Sequence, residues 1–478
     1  MSEIDSSYEV VVIGGQTGGA TMAKFLAQRG VNVALFEKVA FNDLYKTCGD
    51  ATSPYWIDKI SQIDPKNIVD PPKKGEYYNE TVGLAFYTPK LNKYQINTGA
   101  GWIIARDKFG QRLVQEAQDA GANLFEEVRV EKILRNPQNQ HVTGVTLDTK
   151  DGKKLDINAK IVVDASGMAG VVRRSINDAG WDKEIRHYDV AAGFREIIKF
   201  NTPIEDSKYI RLYFNTDIVP GGYFWIFPRD EYSANVGLGV EPKRAPGGIK
   251  VCYEKFKQRL PELFNGDEEI IHSGGSMVPL RRPMDTLVYG GAILIGDAGA
   301  CVKATDGGGI GISMCAASHA VNPILNALEK DDFSRDGPLW SYVYNYMRDI
   351  GAKEAPLARA KPDIVKARNK HLVTVFDKGV ISAEDLYNLN AGKPIDFSYI
   401  TNIKRLWKAK GILPFLLMLR GSVKKMKEAK KMYEQYPDNW NDFLVWKEKM
   451  VKLFKDDKRA REYYKETDQE DMLKKLNL

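Results

Sequence analysis

The stretch Tyr8-Glu-Val-Val-Val-Ile-Gly-Gly-Gln-Thr-Gly-Gly-Ala20 decides the fold. A β-branched apolar run enters a glycine cluster and then a helical pattern, Thr21-Met-Ala-Lys-Phe-Leu-Ala-Gln-Arg-Gly30, which Gly30 stops. A second apolar run, Val31-Asn-Val-Ala-Leu-Phe36, ends at Glu37. In that order a turn's N–H groups and a helix N-terminus meet a pyrophosphate, and the acid accepts hydrogen bonds from a ribose. Gly14 and Gly19 fill the first and third places of the usual glycine spacing, and Gln16 stands in the second. That second glycine normally lets backbone approach the phosphates, so Gln16 is expected to shift the cofactor or to point out of the turn.

The 478 residues are enough for two or three domains, and 43% hydrophobic with 10% aromatic content excludes a disordered chain. Cys48, Cys252, Cys301 and Cys315 have neither metal spacing nor disulfide density, which fits a reducing cytoplasm and no metal. The polar, acidic start leads straight into the first strand, so no signal peptide is expected. No apolar run approaches the roughly 20 residues that span a bilayer. The net charge of +6 is unevenly placed: residues 404–431 hold ten Lys or Arg against the single acid Glu428. There Gly411-Ile-Leu-Pro-Phe-Leu-Leu-Met-Leu-Arg-Gly421 lies between Lys404, Arg405, Lys408 and Lys410 and a second group, Arg420, Lys424, Lys425 and Lys427. Such a segment suits an anionic membrane surface, giving an expected location in the cytoplasm with peripheral contact at the inner face of the cell membrane. Nucleic acid is not an expected partner, because no stacking platform or known binding fold accompanies the charge.

Working outward, Tyr45-Lys-Thr-Cys-Gly-Asp-Ala-Thr-Ser53 is a small-residue loop where backbone can approach a planar ligand. Arg106 opens a helical pattern over 109–120, placed to bind a phosphate or to make an ordinary salt bridge. Strands are expected at 123–125 and 128–130, and a hairpin over 142–157 with Asp151-Gly152 as its turn. Ile161-Val-Val-Asp-Ala-Ser-Gly167 reads as a buried strand ending in small residues, similar to the second such strand end in FAD proteins of the glutathione-reductase type. From 190 to 283 alternating patterns predict a mostly antiparallel sheet. Within it Tyr223-Phe-Trp-Ile-Phe-Pro228 sets Tyr223, Trp225 and Phe227 on one face, as a core strand or as an aromatic wall beside a ring. Gly291-Ala-Ile-Leu-Ile-Gly-Asp-Ala-Gly-Ala300 ends a strand at Asp297, where a carboxylate can bind a ribityl hydroxyl. Asp306-Gly-Gly-Gly-Ile-Gly311 then opens an apolar helix whose N-terminus suits an anion such as a reduced flavin. Beyond about 361 the pattern is helical and Lys-rich. The five histidines form no cluster.

Cys48-Gly-Asp-Ala, the aromatic-Pro run with Gly237-Leu-Gly239 downstream, and Val278-Pro-Leu-Arg-Arg-Pro283 together resemble the geranylgeranyl reductase family, especially its archaeal lipid-saturating branch. The resemblance covers roughly 8–330. It implies an α/β fold: an FAD-binding Rossmann-like domain of the glutathione-reductase/p-hydroxybenzoate-hydroxylase type, an antiparallel-sheet substrate domain and a helical C-terminal region. The expected boundaries are 1–75 with 100–178 and 285–360 for FAD, 76–99 with 179–284 for substrate, and 361–478 for the helices. The resemblance implies that Gly14, Gly15, Gly18 and Gly19 hold the pyrophosphate of FAD and that Glu37 holds the ribose. Cys48, Gly49 and Ala51 would sit beside the flavin, Arg106 and Val130 on the nucleotide half, and Asp297, Gly309 and Ile310 at the ribityl chain and pyrimidine edge. Tyr223, Trp225 and Phe227 become substrate contacts, with Cys48, Tyr223 and Trp225 the catalytic candidates and solvent an equal proton source. The implied activity is saturation of isolated C=C bonds in geranylgeranyl diphosphate or ether-lipid chains by flavin hydride and a proton. Electrons would come from NAD(P)H or another reduced carrier, since no second dinucleotide motif is present. The competing readings are a flavin monooxygenase or halogenase on the same fold, marked by a flavin hydroperoxide, and a non-catalytic lipid-binding paralogue, marked by a colourless protein. Three positions depart from the family pattern: Gln16, Thr47 where proline is common, and Lys303-Ala-Thr-Asp306 where a proline-containing loop is usual.

Overall fold

A computed structural model describes residues 3–178, 180–380 and 411–454. Strands β1 (Ser7–Ile13), β2 (Val33–Phe36) and β3 (Ala51–Thr52) are followed by β4 (Tyr77–Tyr87) and β5 (Lys93–Ile104). Next come β6 (Asn123–Phe125), β7 (Val128–Arg135), β8 (Val142–Thr149) and β9 (Lys154–Asp164). The remaining strands are β10 (Val190–Lys199), β11 (Tyr209–Tyr213), β12 (Tyr223–Pro228), β13 (Ser233–Val240), β14 (Glu269–Pro279), β15 (Val288–Tyr289) and β16 (Ala292–Leu294). The helices are α1 (Thr17–Ala27), α2 (Pro54–Ile63), α3 (Arg106–Asp119), α4 (Val171–Ser175), α5 (Ile249–Lys257) and α6 (Ile310–Lys330). They continue with α7 (Trp340–Tyr346), α8 (Ala352–Ile364), α9 (Asn369–Asp377), α10 (Leu413–Glu434) and α11 (Trp440–Phe454).

The first sheet runs β15-β16-β9-β1-β2-β6, with β7 and β8 attached as a hairpin to β9. β1 is parallel to both β2 and β9, and β16 is parallel to β9. Val10, Val11 and Val12 are fully buried, as a central parallel strand covered on both faces requires. The second sheet, β14-β10-β13-β12-β11-β4-β5-β3, is antiparallel except for β11 beside β4. One of its faces packs on α5, where Phe224 stacks on Phe256 at 4.4 Å between centroids. This is the mixed α/β architecture expected.

Two helix starts differ from the sequence expectation. α1 begins at Thr17, so Gly18 and Gly19 are helical residues rather than part of the turn. α3 begins at Arg106 itself, with Asp107 in its first turn where the helix dipole favours an acid. The C-terminal helices return to the core of the first sheet, which Tyr433, Tyr436, Phe443, Trp446 and Met450 join. Tyr436 donates to the Asp285 carbonyl at 2.7 Å and Trp446 Nε1 to the Met432 carbonyl at 2.9 Å. Among the described residues no helix is long and apolar enough to cross a membrane.

Candidate functional site

Four parallel strands end at one edge. Ile13 pairs with Phe36 and with Asp164, and Leu294 pairs with Asp164. The residues that follow (Gly14, Glu37, Ala165 and Asp297) therefore leave the sheet side by side, at the carboxyl edge where open α/β sheets bind ligands. Three distant pieces of sequence converge for this topological reason.

The cradle is built from backbone. Gly14 has φ +99°, and a Cβ there would lie 2.7 Å from the Ala165 carbonyl oxygen. A Cβ on Gly19 would lie 1.9 Å from the Gly14 oxygen, so the turn closes onto the helix only with glycine. Gly18 packs against Ser313 of α6, and Thr17 Oγ1 lies 3.2 Å from Ser313 Oγ. The N-terminal turns of α1 and α6 thus meet. Neither N-cap residue, Gln16 nor Gly309, makes a side-chain capping bond, which leaves first-turn N–H groups for an anionic ligand. Gln16 does not point out of the turn: its Oε1 accepts from Arg106 at 3.1 Å, and both residues line the cavity. The buried Nε of Arg106 has no partner. Gly15 does not line the cavity; its N–H donates to Glu37 Oε2 at 2.7 Å, so it orients the acid. Val39 N–H donates to the other oxygen, Oε1, at 3.2 Å. Val128 N–H donates to the Glu37 carbonyl at 2.9 Å and brings Val130 alongside. At the other end Asp297 accepts from Lys46 at 2.6 Å, and a Cβ on Gly309 would lie 3.4 Å from Asp297 Oδ1. The glycine cradle, two uncapped helix starts, the oriented acid and the orphaned Arg106 nitrogen fit FAD.

The loop carrying Cys48 is pinned between the sheets. Asn235 of β13 donates to the Cys48 carbonyl at 2.7 Å and to Asp50 Oδ2 at 2.9 Å. The Cys48 thiol donates to Asp50 Oδ1 at 2.9 Å. Burial, helped by the Asp50 charge, pushes that thiol up to about 12, so it keeps its proton at neutral pH. Gly49 lies against Phe227: a Cβ would come 2.5 Å from the ring. Ala51 follows in β3, paired with Ile103.

β12 serves both readings of its alternation. Phe224 and Ile226 face the core with α5, while Tyr223, Trp225 and Phe227 line the cavity. Trp225 pairs with Gly237, where a Cβ would lie 2.5 Å from the indole. The Gly-x-Gly sequence is therefore the bed of the tryptophan ring. Trp225 Nε1 donates to Asn235 Oδ1 at 3.0 Å, and the Tyr223 hydroxyl donates to the Asp306 carbonyl at 3.0 Å. Burial raises the Tyr223 phenol well above its ordinary value.

One cavity of roughly 2190 Å³ joins the glycine cradle, the Cys48 loop and the Tyr223, Trp225 and Phe227 face of β12. It exceeds the roughly 300–1,000 Å³ of a pocket for one small ligand, so it has room for a dinucleotide and a second molecule. Its far wall is α9 and α10, including Val375, Phe376, Phe415 and Leu419, with His371 stacked on Phe415 at 4.2 Å. The apolar segment 411–421 is thus divided: Phe415 and Leu419 line the cavity, while Leu413 and Leu417 are exposed. Lys404, Arg405, Lys408 and Lys410 lie outside the described residues. Sequence reasoning missed Asp50 and Asn235. Asp50 stood inside the quoted loop, and its left-handed φ of 64° has no signal in its own residue type.

Residues 189–278, which include the aromatic strand and its glycine partner, match the family model described as the geranylgeranyl reductase catalytic domain. The chain is 29% identical over 444 residues to the digeranylgeranylglycerophospholipid reductase of Sulfolobus acidocaldarius, covering 92% of this chain and 96% of that one. It is 26% identical over 412 residues to the enzyme of the same name from Methanothrix thermoacetophila, covering 85% and 99%. Among solved structures, a geranylgeranyl bacteriochlorophyll reductase-like protein from Thermoplasma acidophilum has a TM-score of 0.71 at 21% identity, covering 86% of this chain and 99% of that one. A myxobacterial chondrochloren halogenase, an FAD-dependent enzyme, shares the fold at a TM-score of 0.62 and 17% identity, covering 88% and 97%. The resemblance to the geranylgeranyl reductase family is borne out, and residues 189–278 are the part of the chain that matches its catalytic-domain model.

Proposed function

We propose that the chain is an FAD-dependent reductase that saturates isolated C=C bonds in geranylgeranyl chains, of archaeal ether-lipid precursors or of the diphosphate. The observation that carries this is the single cavity joining a backbone cradle for a dinucleotide to an aromatic strand and an apolar far wall. Gly14, Gly18 and Gly19 with the α1 N-terminus hold the pyrophosphate, and Glu37 the ribose. Arg106 and Val130 flank the nucleotide half, and Cys48, Gly49 and Ala51 lie beside the ring. Asp297, Gly309 and Ile310 hold the ribityl chain and pyrimidine edge. Bound and reduced, FAD supplies a hydride.

The protein's part follows from the substrate. An unactivated alkene has no carbonyl to polarise, so charge developing on carbon needs a dry, electron-rich wall. Tyr223, Trp225 and Phe227 provide it, and Gly237 with Asn235 fixes the indole plane. We assign 1–75, 100–178 and 285–360 to FAD binding, 76–99 and 179–284 to substrate, and 361–380 with 411–454 to the helical C-terminal domain, the rest of 361–478 lying outside the described residues. The reduced carrier that feeds it, NAD(P)H or another, meets the protein transiently. The exposed Leu417 and Lys424 of α10 favour contact with an anionic membrane surface.

The test is to purify the protein, record its visible spectrum, reduce it with dithionite and follow geranylgeranyl lipids by mass spectrometry. A yellow protein that adds hydrogens in pairs is expected. Fully reduced flavin with unchanged lipid overturns the activity, and a colourless protein overturns the cofactor.

A further inference from the structure

The proton that must accompany the hydride has no evident source among the residues above. Burial raises both the Cys48 thiol and the Tyr223 phenol, which makes each a weaker acid than a carboxyl in the same cavity. The cavity wall contains another acid, Glu354, which neither the cradle nor the aromatic strand uses. It sits on α8, directly after a π-helical turn, Met347–Gly351, and two residues before Pro356. Proline lacks the N–H that would bond to the Ala352 carbonyl, and π turns recur where a helix is re-registered for function. Glu354 is 5% exposed, and its Oε2 is buried without a hydrogen-bond partner.

The charged groups around it are Lys303 and Asp306 on the loop before α6, which pair with each other at 3.1 Å, and Lys353 on its own helix. Tyr346 of α7 faces it, and Tyr55 of α2 binds Lys353 at 3.3 Å. α10, packed across α8, brings Lys427, Lys430 and Glu434 to the same cavity. Burial outweighs the attraction of Lys303 and pushes the Glu354 carboxyl up to about 7. The loop it faces carries the carbonyl that holds Tyr223 and leads into the Gly309–Ile310 helix start. Glu354 therefore lines the cavity beside the loop that joins the Gly309–Ile310 helix start to the aromatic wall.

We propose that Glu354 is the acid that protonates the alkene. This rests on the reductase reading above. The π electron pair forms a C–H bond from one alkene carbon to the Glu354 proton as its O–H bond breaks, the positive charge developing on the other carbon takes the hydride, and the chain gains two electrons and two hydrogens. The cofactor is left oxidised, and the carboxylate recovers its proton from water. The family departure at Lys303 and Asp306 gains a role here, as the charge pair that sets the acid's surroundings.

The test uses Glu354→Gln, which keeps size and removes the proton. In the apoprotein, pH-difference infrared spectroscopy of the parent is expected to show a carboxylic C=O band titrating near pH 7 that Glu354→Gln lacks. In the dithionite-reduced holoenzyme, single-turnover lipid reduction by the parent is expected to slow above pH 7. In Glu354→Gln it is expected to be at least tenfold slower and flat with pH, while flavin content and lipid binding match the parent. A variant with the parent's rate and pH profile, or an unchanged infrared band, overturns this assignment alone. A parent that reduces no lipid overturns the reductase reading, and the proposal falls with it.

Discussion

The two ends of the cavity are built from opposite materials. At the nucleotide end the contacts are backbone: Gly14 and Gly19 leave no room for a methyl, Gly18 lies tight against Ser313, and two helix starts supply the N–H groups. At the far end the contacts are side chains from three separated elements, β12, α9 and α10. A backbone cradle tolerates no change because its atoms cannot repack, whereas a side-chain wall can be reshaped one residue at a time. The first end should fail all at once and the second by degrees.

The largest effect is expected at Gly19→Ala. Its Cβ would meet the Gly14 carbonyl at 1.9 Å, and overpacking against backbone costs at least about 1–3 kcal/mol. Purified variant should be colourless with a lowered melting temperature; parental flavin content would break the contrast. Glu37→Gln comes next. Gln keeps an acceptor for the Gly15 N–H but loses the charge that strengthens a ribose hydroxyl's hydrogen bond, and a bond to a charged group is worth about 1.5–3 kcal/mol, roughly 10- to 150-fold in FAD affinity. Titration of apoprotein with FAD reads this directly.

At the other end Trp225→Leu should keep its flavin and lose rate. Removing a cation-stabilising ring costs about 0.5–2 kcal/mol, or roughly 2- to 30-fold in kcat, measured by anaerobic lipid reduction. A variant without flavin would show that the aromatic strand belongs to the cradle. The smallest effect is expected for neutralising the exposed Lys424, which does not line the cavity, at about 1 kcal/mol for a well-placed charge on anionic vesicles. Cosedimentation equal to the parent's would remove the membrane contact and leave the cavity untouched.

Legibility in the sequence followed the same division. β1, α1 and β2 could be read from local pattern because strand, glycine and helix each carry a short-range signal, and the convergence of Gly14, Glu37 and Asp297 followed from parallel topology. Where α1 begins could not be read, because Gly18 and Gly19 look like turn residues yet are helical once Ser313 packs against them. Two meanings of the β12 alternation were open because period two names two faces but not what lies against each. The far wall was the least legible. Phe415 and Leu419 read as a membrane-facing patch, since nothing local tells an apolar helix face on lipid from one folded over a cavity. Asp50, Asn235 and Glu354 are defined only by what folding brings near them.

The most direct measurement is a structure of the FAD-loaded protein with a fully saturated geranylgeranyl-derived chain that cannot react. Density for the pyrophosphate at the α1 N-terminus is expected, with the chain running past Trp225 and on toward Phe415 within one continuous cavity. A chain bound elsewhere, or a flavin ring separated from Trp225 by protein, would contradict the account.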